Sequence, residues 1–147
     1  MGYKDLVKDF AERTRINLAL IQAEAKAGKD AYEVTQLMNS MLGLFLFPEQ
    51  EFYDIIPETK LEDLRKDGWP IPRIRGNYAQ VSNLKQLARC LRNGIAHFNL
   101  RFTEMGGHVD GVIIWNESPD GNRNWEVELK IEELEGITNR FLRLLLK

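Results

Sequence analysis

Apolar residues recur at helical spacing along the first third of the chain and indicate two helices. The first stretch covers residues 3 to about 27 without a proline, which predicts a long amphipathic helix that ends at Gly28. The second begins where Asp30 is followed three residues later by Glu33, a spacing typical of a capping box, and Pro48 ends it.

The helical pattern gives way to an irregular segment in the middle of the chain. Just before it, residues 44–47 are apolar on every side, which favours a place in the core over an interface with a second subunit. Residues 49–76 hold three of the five prolines and predict irregular structure with a short helix around Leu61 to Lys66. The stretch 68–73 predicts an extended connection, with a proline-rich ligand for another domain as the alternative.

A strongly two-sided helix is predicted from about Asn77 or Ser82 to Phe98. On a helical wheel at roughly 100° per residue, one side is apolar and is formed by Val81, Leu84, Leu87, Ala88, Leu91, Ile95 and Phe98. The other side is polar and carries Lys85, Arg89, Arg92, Asn93 and His97. The histidine is therefore expected on the polar face rather than in the core.

After this helix the period changes from helical to two. Residues 99–103, 109–115 and 125–131 predict the three strands of an antiparallel meander, and residues 132–147 predict a final helix. The fold class is therefore mainly α (α+β). We expect a single domain, 1–147, built as an antiparallel bundle of four main helices with a small antiparallel β-meander inserted at about 99–131, before the C-terminal helix.

Charge is distributed unevenly along the chain. The net charge of −2 argues against a general nucleic-acid-binding protein. Yet residues 69–101 contain no acidic residue and six basic ones, so the remainder carries −8. Such a basic surface is typical of a specific polyanion site, although solvated surface charge is the alternative. The candidates for binding the substrate are Arg73, Arg75, Lys85 and Arg89.

The chain has one cysteine, Cys90, and this excludes an internal disulfide bond. No cysteine and histidine cluster has the spacing of a zinc site, so we expect neither a metal nor a cofactor. The N-terminus lacks the apolar segment of a secretory signal, and the apolar runs are too short to span a bilayer. These features favour a cytoplasmic protein.

Three residues of the two-sided helix suit the cleavage of RNA without a metal. His97 offers an imidazole, the side chain that exchanges protons near neutral pH, to a ribose 2′-hydroxyl or to the leaving 5′-oxygen. Arg92 offers a forked cation to the phosphate. Asn93 shares a face with His97, four residues later, and its amide is placed to hold the imidazole or the substrate. Arg92, Asn93 and His97 are the candidate catalytic residues.

Each of these residues also has a purely structural interpretation. Arg92 is placed to form an ion pair with the acidic start of the last helix, Asn93 to bridge helices, and His97 to cap its own helix. Gly94 lies inside the helix at a cost of about 1 kcal/mol relative to alanine, which suggests close approach of another helix, such as that of a second subunit.

The wheel separates two of the catalytic candidates. Arg92 and His97 lie roughly 140° apart, at opposite borders of the polar face. Two copies of the helix packed about a two-fold axis would bring each His97 to the arginine of the other copy. We therefore expect a homodimer with a composite site.

A second arginine and histidine pair shows that spacing alone is weak evidence for a catalytic site. Arg101 and His108 have six residues between them, but the interval crosses Gly106 and Gly107 and a predicted strand. No single helix could present this pair. We interpret His108 as a loop residue without a catalytic role.

The chain resembles the HEPN superfamily of nucleotide-binding and nuclease domains, in particular a bacterial and plasmid-borne branch. The resemblance rests on Arg92-Asn93 followed by His97, which is similar to the arginine, polar residue and histidine signature of that superfamily. It also rests on the phrases at 91–98 and 42–48, and on the order of the helices. It spans most of the chain apart from residues 49–76 and the strands.

The resemblance implies a metal-independent endoribonuclease that acts as a homodimer and leaves a 2′,3′-cyclic phosphate. It implies an RNA substrate, a role as a toxin or an antiviral defence effector, and an antitoxin or regulatory protein as a further partner. The alternative is a catalytically inactive HEPN module that binds RNA, nucleotide or a protein partner through the same basic face.

Overall fold

The computed structural model describes residues 3–46, 54–74 and 81–146, and this part of the chain is mainly helical. Its elements in chain order are α1 (Tyr3–Lys26), α2 (Glu33–Leu46), α3 (Leu61–Lys66), β1 (Arg73–Ile74), α4 (Leu84–Ala96), β2 (Leu100–Met105), β3 (His108–Glu117), β4 (Arg123–Lys130) and α5 (Ile131–Leu145). The prediction of four main helices with an antiparallel sheet before the last is confirmed. None of the helices in the described part of the chain has the length and apolar content that a membrane crossing requires.

The chain divides into two compact units, and the first of these is helical. It comprises Met1–Ile55 together with Thr138–Lys147. Within it α1 and α2 pack against each other, and Ala11, Leu18 and Leu37 are buried. The single domain over the whole chain stays a prediction.

Helix α2 starts later than the sequence pattern indicates. It begins at Glu33, and its first turn is closed by the N–H of Gln36, which donates to the carbonyl oxygen of Tyr32 at 3.0 Å. The predicted capping box starting at Asp30 is therefore wrong. Residues 44–46 belong to α2, but the side chains at 44–47, interpreted as core or interface, are not among those that the structure describes.

The second unit, Ile56–Ile137, holds a four-stranded antiparallel sheet in the order β1-β4-β3-β2. Strands β2, β3 and β4 form the predicted meander. The two-residue strand β1 was not predicted, and it pairs with β4 through Arg73 opposite Glu128 and Ile74 opposite Val127. A strand of this length has no alternation for a sequence pattern to reveal.

The β2–β3 hairpin corrects the interpretation of His108. Gly106 and Gly107 both have positive φ, 60° and 81°, and form a tight turn. His108 is consequently the first residue of β3, opposite Met105, rather than a loop residue. Arg101 lies on β2, so this arginine and histidine pair belongs to two strands and not to a helix.

The meander forms one wall of the core of this unit. Trp125, Val127 and Leu129 are buried at alternate positions of β4, as the period of two predicts. Helix α4 packs against β3, where Val112 and Ile114 are fully buried. The apolar side of α4 therefore faces the sheet, and its polar side is left for the candidate site.

Candidate active site

Helix α4 sets the positions of the candidate residues. It begins after Asn83, whose side chain accepts a hydrogen bond from the backbone N–H of Gln86 at 2.9 Å. The helix therefore starts later than Asn77 or Ser82, the two starts that the sequence pattern predicted. The buried face comprises Leu84, Leu87, Ala88, Leu91, Gly94 and Ile95. Since these residues form the buried side of α4, Arg89, Asn93 and His97 share the other side at intervals of four residues.

Gly94 permits α4 to lie directly on strand β3. A β-carbon at this position would touch the Cγ2 methyl of Ile114 and would come within 2.9 Å of the carbonyl oxygen of Trp115. The glycine therefore serves packing inside one chain. The prediction that another helix approaches Gly94 is wrong, because the close neighbour is strand β3.

His97 lies at the end of α4, one residue beyond the last helical position. It is the C-cap residue, with φ −92° and ψ 8°, and its backbone N–H donates to the carbonyl oxygen of Asn93 at 3.1 Å. Its side chain is exposed, as expected for a residue of the polar face. The backbone of the turn thus fixes the position of the His97 α-carbon, while the imidazole ring is open to solvent.

Phe98 follows with an unusual backbone conformation. Its φ is 59°, and it is the only residue other than glycine with a positive φ in the described part of the chain. The N–H of Phe98 donates to Ile95 and that of Asn99 to Gly94, the pattern of a Schellman motif, which normally has glycine at this position. The wheel assigned Phe98 to the apolar face, and this was wrong, because the turn reverses the chain and leaves the side chain 83% exposed.

A cleft opens beside this turn. It has a volume of about 920 Å³ and lies between α4, the turn after it, the end of β3 and the start of β4. The residues that line it are Val81, Gln86, Arg89, Cys90, Asn93, His97, Asn99, Asn116, Glu117, Ser118, Asn124 and Trp125. All of them belong to the second unit.

Some of the predicted site residues line the cleft and others do not. Arg89, Asn93 and His97 line it, whereas Arg92 and Lys85 do not. Arg92 is half-buried, and its Nε atom is shielded from solvent. One copy of the chain therefore presents the histidine and the asparagine on the cleft wall without Arg92 beside them.

Two predicted binding residues precede the cleft in sequence. Arg73 is the first residue of β1, where its backbone pairs with Glu128, and its side chain is outside what the structure describes. Arg75 lies outside the described residues. Neither position adds a described side chain to the cleft.

Several amide side chains of the cleft were not predicted. Asn99 follows α4, Asn116 lies near the end of β3, and Asn124 lies near the start of β4. Strand pairing places Asn116 opposite Trp125, so these distant positions meet only once the meander has formed. A cluster of asparagines at strand ends was the one available sequence signal.

Cys90 also lines the cleft, but as a protonated thiol. Burial raises the pKa of Cys90 to about 11, although the Asn116 side chain and the nearby charge of Arg89 act in the opposite direction. Since the thiolate is the reactive form, this cysteine is a poor nucleophile near neutral pH.

The outer rim of the cleft is held by side-chain contacts on β3 and β4. The indole Nε1 of Trp115 donates to the carboxylate of Glu117 at 3.1 Å, and the guanidinium of Arg123 lies 4.0 Å from the Trp115 ring centre. Arg123 also pairs with Glu126 at 2.5 Å. These contacts order Glu117, the acidic residue among those lining the cleft.

The described residues contain no group of three or more histidine, cysteine, aspartate or glutamate side chains arranged to hold a metal ion. The cleft therefore offers an imidazole, a guanidinium, a carboxylate, a hydroxyl and several amides. These groups transfer a proton, stabilise negative charge and form directional hydrogen bonds.

Comparison with known proteins gives the family. A family model described as HEPN pEK499 p136 matches residues 1–147, the whole of the chain. No curated protein and no solved structure matches it. HEPN domain families are generally associated with ribonuclease activity. The chain therefore belongs to the HEPN pEK499 p136 family, as the resemblance of its sequence to the HEPN superfamily predicts.

Proposed function

We propose that this protein is a metal-independent endoribonuclease. The observation that carries the proposal is the position of His97, which is exposed at the C-terminus of α4 on the wall of a cleft it shares with Asn93 and Arg89. Family membership supports the same reaction class. A histidine whose backbone is held in a hydrogen-bonded turn and whose side chain is open to solvent is placed to exchange protons with a bound substrate.

The proposed reaction is an internal transfer at one phosphodiester. The imidazole of His97 takes the proton of a ribose 2′-hydroxyl, whose oxygen attacks the adjacent phosphorus. The bond from phosphorus to the 5′-oxygen breaks, and that oxygen takes up the proton that His97 has accepted. The products are a 2′,3′-cyclic phosphate and a 5′-hydroxyl, and no water or metal is consumed. Guanidinium groups stabilise the charge that grows on the phosphate oxygens, and Asn93 positions the imidazole or the substrate.

We further propose that two copies of the chain form the complete site. Arg92 does not line the cleft of its own chain, so a second copy related by a two-fold axis is the source of the arginine that faces His97. In this arrangement the large apolar side chain of Phe98, which is 83% exposed next to the site, would be available for contact with the second copy. The substrate cleft would then run across both copies.

A ribonuclease of this kind must be restrained in the cell that makes it. We propose that it acts as a toxin or as an effector of antiviral defence, with an antitoxin or regulatory protein as its further partner. Expression of the wild-type chain should arrest growth, and expression of His97→Ala should not.

A binding module without catalysis is the second candidate function. The observation that favours it is the separation of Arg92 from the cleft, since a site that never acquires this arginine would bind RNA, nucleotide or a protein without cleaving. Such a module would bind RNA with strong salt dependence and leave it intact.

One assay separates the two candidates. Wild-type protein is incubated with RNA in excess EDTA, and the ends of the products are analysed for cyclic phosphate and 5′-hydroxyl groups. We expect cleavage by the wild type, loss of cleavage in His97→Ala, and full cleavage by His108→Ala, the matched control at the other histidine. Intact RNA with the wild type, or unchanged cleavage by His97→Ala, would overturn the ribonuclease.

A further inference from the structure

Three asparagine side chains that reach the cleft have no hydrogen-bond partner among the described residues. Asn93 lies on α4, Asn99 in the turn that follows and Asn124 on β4, and in the described part of the chain none of the three amides is bonded. Each amide provides an acceptor oxygen and two N–H donors. The cleft therefore offers both donors and acceptors to its occupant.

Two more polar groups of the cleft are buried. Asn116 is only 9% exposed, and its amide interacts with the thiol of Cys90. Trp125 is 2% exposed, and its indole N–H is a buried donor with no acceptor in the described part of the chain. Leaving buried polar groups incompletely bonded costs free energy. An occupant that brings hydrogen-bonding atoms would offset this cost.

The charges of the cleft favour a neutral group over a further phosphate beside the one that reaches His97. Among the described residues that line it, Arg89 and Glu117 carry opposite formal charges, so no excess of cations marks a phosphate site there. The volume of about 920 Å³ lies at the upper end of the range for small-ligand sites and accommodates a nucleotide.

We propose that this cleft binds one unpaired nucleobase of the RNA substrate. The inference rests on the proposed function, because it places the base next to the phosphate that reaches His97. The edges of nucleobases carry alternating donors and acceptors, which asparagine amides complement. In a duplex the pairing edges are already used, so the substrate class is single-stranded RNA or an RNA loop.

Binding to the full-length His97→Ala variant tests this proposal without requiring cleavage. The ligands are four single-stranded RNA tetranucleotides, each of one base, and a tetranucleotide of abasic ribose with the same charge. At least one base-bearing tetranucleotide should bind about tenfold more tightly than the abasic one, because only the base engages the amides. Equal affinity for all five ligands would overturn the proposal, and so would equally tight binding when the preferred bases are paired within a longer RNA duplex.

Two further variants locate the preference. Asn124→Ala removes an exposed amide and should not disturb folding, and it should lower the preference for the base at least threefold, as should Asn116→Ala. Asn17→Ala, at an exposed position of α1, is the control and should leave the preference unchanged. A preference that survives in both cleft variants would place the base elsewhere. If the protein binds a base but does not cleave RNA, the ribonuclease assay fails and these affinities remain as expected. Failure of the proposed function is therefore distinguishable from failure of the base-binding proposal.

Discussion

The backbone N–H of Asn99 donates to the carbonyl oxygen of Gly94 at 2.8 Å and closes the end of α4 around Phe98. The same asparagine accepts from the N–H of Trp115 at 3.0 Å, which ties this turn to β3. Hydrogen bonds to α4 and to β3 therefore hold the segment that carries His97. A rigid turn of this kind holds a catalytic side chain in place better than a free loop.

Replacing Phe98 with glycine should stabilise the single chain. A positive φ of 59° is costly for phenylalanine and not for glycine, and the side chain is too exposed for its loss to matter to the core. Phe98→Gly should therefore raise the free energy of unfolding by about 1 kcal/mol, measured by chemical denaturation at low protein concentration. Loss of stability would show that Phe98 contributes contacts which its exposure does not suggest.

The same position should weaken the proposed dimer. Phe98→Ala keeps the unfavourable backbone but removes the aromatic ring, so it should shift the monomer–dimer equilibrium toward the monomer without the gain in stability. Analytical ultracentrifugation over a concentration series measures the shift, with Phe102→Ala on β2 as the comparison. An unchanged dissociation constant for Phe98→Ala would remove this residue from the interface.

Replacing Gly94 with alanine should destabilise the protein despite the better helix propensity of alanine. The added methyl group would meet Ile114 and would lie 2.9 Å from a backbone carbonyl oxygen. Moving that backbone atom away would cost free energy. We expect a loss of about 1–3 kcal/mol, set against a gain of about 1 kcal/mol in helix propensity. Ala96→Ser, at an exposed position of the same helix, should change stability by less than about 0.5 kcal/mol. Equal stability of the two variants would contradict the close contact.

Cys90 should react slowly with alkylating reagents. Burial raises the pKa of its thiol to about 11, so at pH 8 nearly all of it is protonated, and the reactive thiolate increases as the pH approaches that value. Alkylation by iodoacetamide at pH 8 should be at least about tenfold slower than in the urea-unfolded protein. The rate should rise by about tenfold per pH unit up to pH 10. Fast, pH-independent alkylation would contradict the raised pKa.

Local patterns predicted most of the fold, because helices and strands in this chain bury one face each. The short helix Leu61–Lys66 and the alternation of Trp125, Val127 and Leu129 were both visible in the sequence. Strand β1 was not, since it has two residues and gains its partner from β4.

The site was predictable only as far as one helix determines it. The four-residue spacing placed Asn93 and His97 on one face, and both line the cleft. The wheel failed at Phe98 because the helix had already ended there. Asn99, Asn116 and Asn124 are brought together by tertiary structure, which no local pattern contains.

The most direct test of the composite site is a mixture of two inactive variants. Arg92→Ala and His97→Ala are purified separately, mixed under conditions that exchange subunits, and assayed for RNA cleavage in EDTA beside the wild type. If Arg92 of one copy acts with His97 of the other, each mixed dimer regains one intact site, and the mixture should recover about a quarter of wild-type activity. A mixture as inactive as either variant alone, beside an active wild type, would contradict a site shared between two chains.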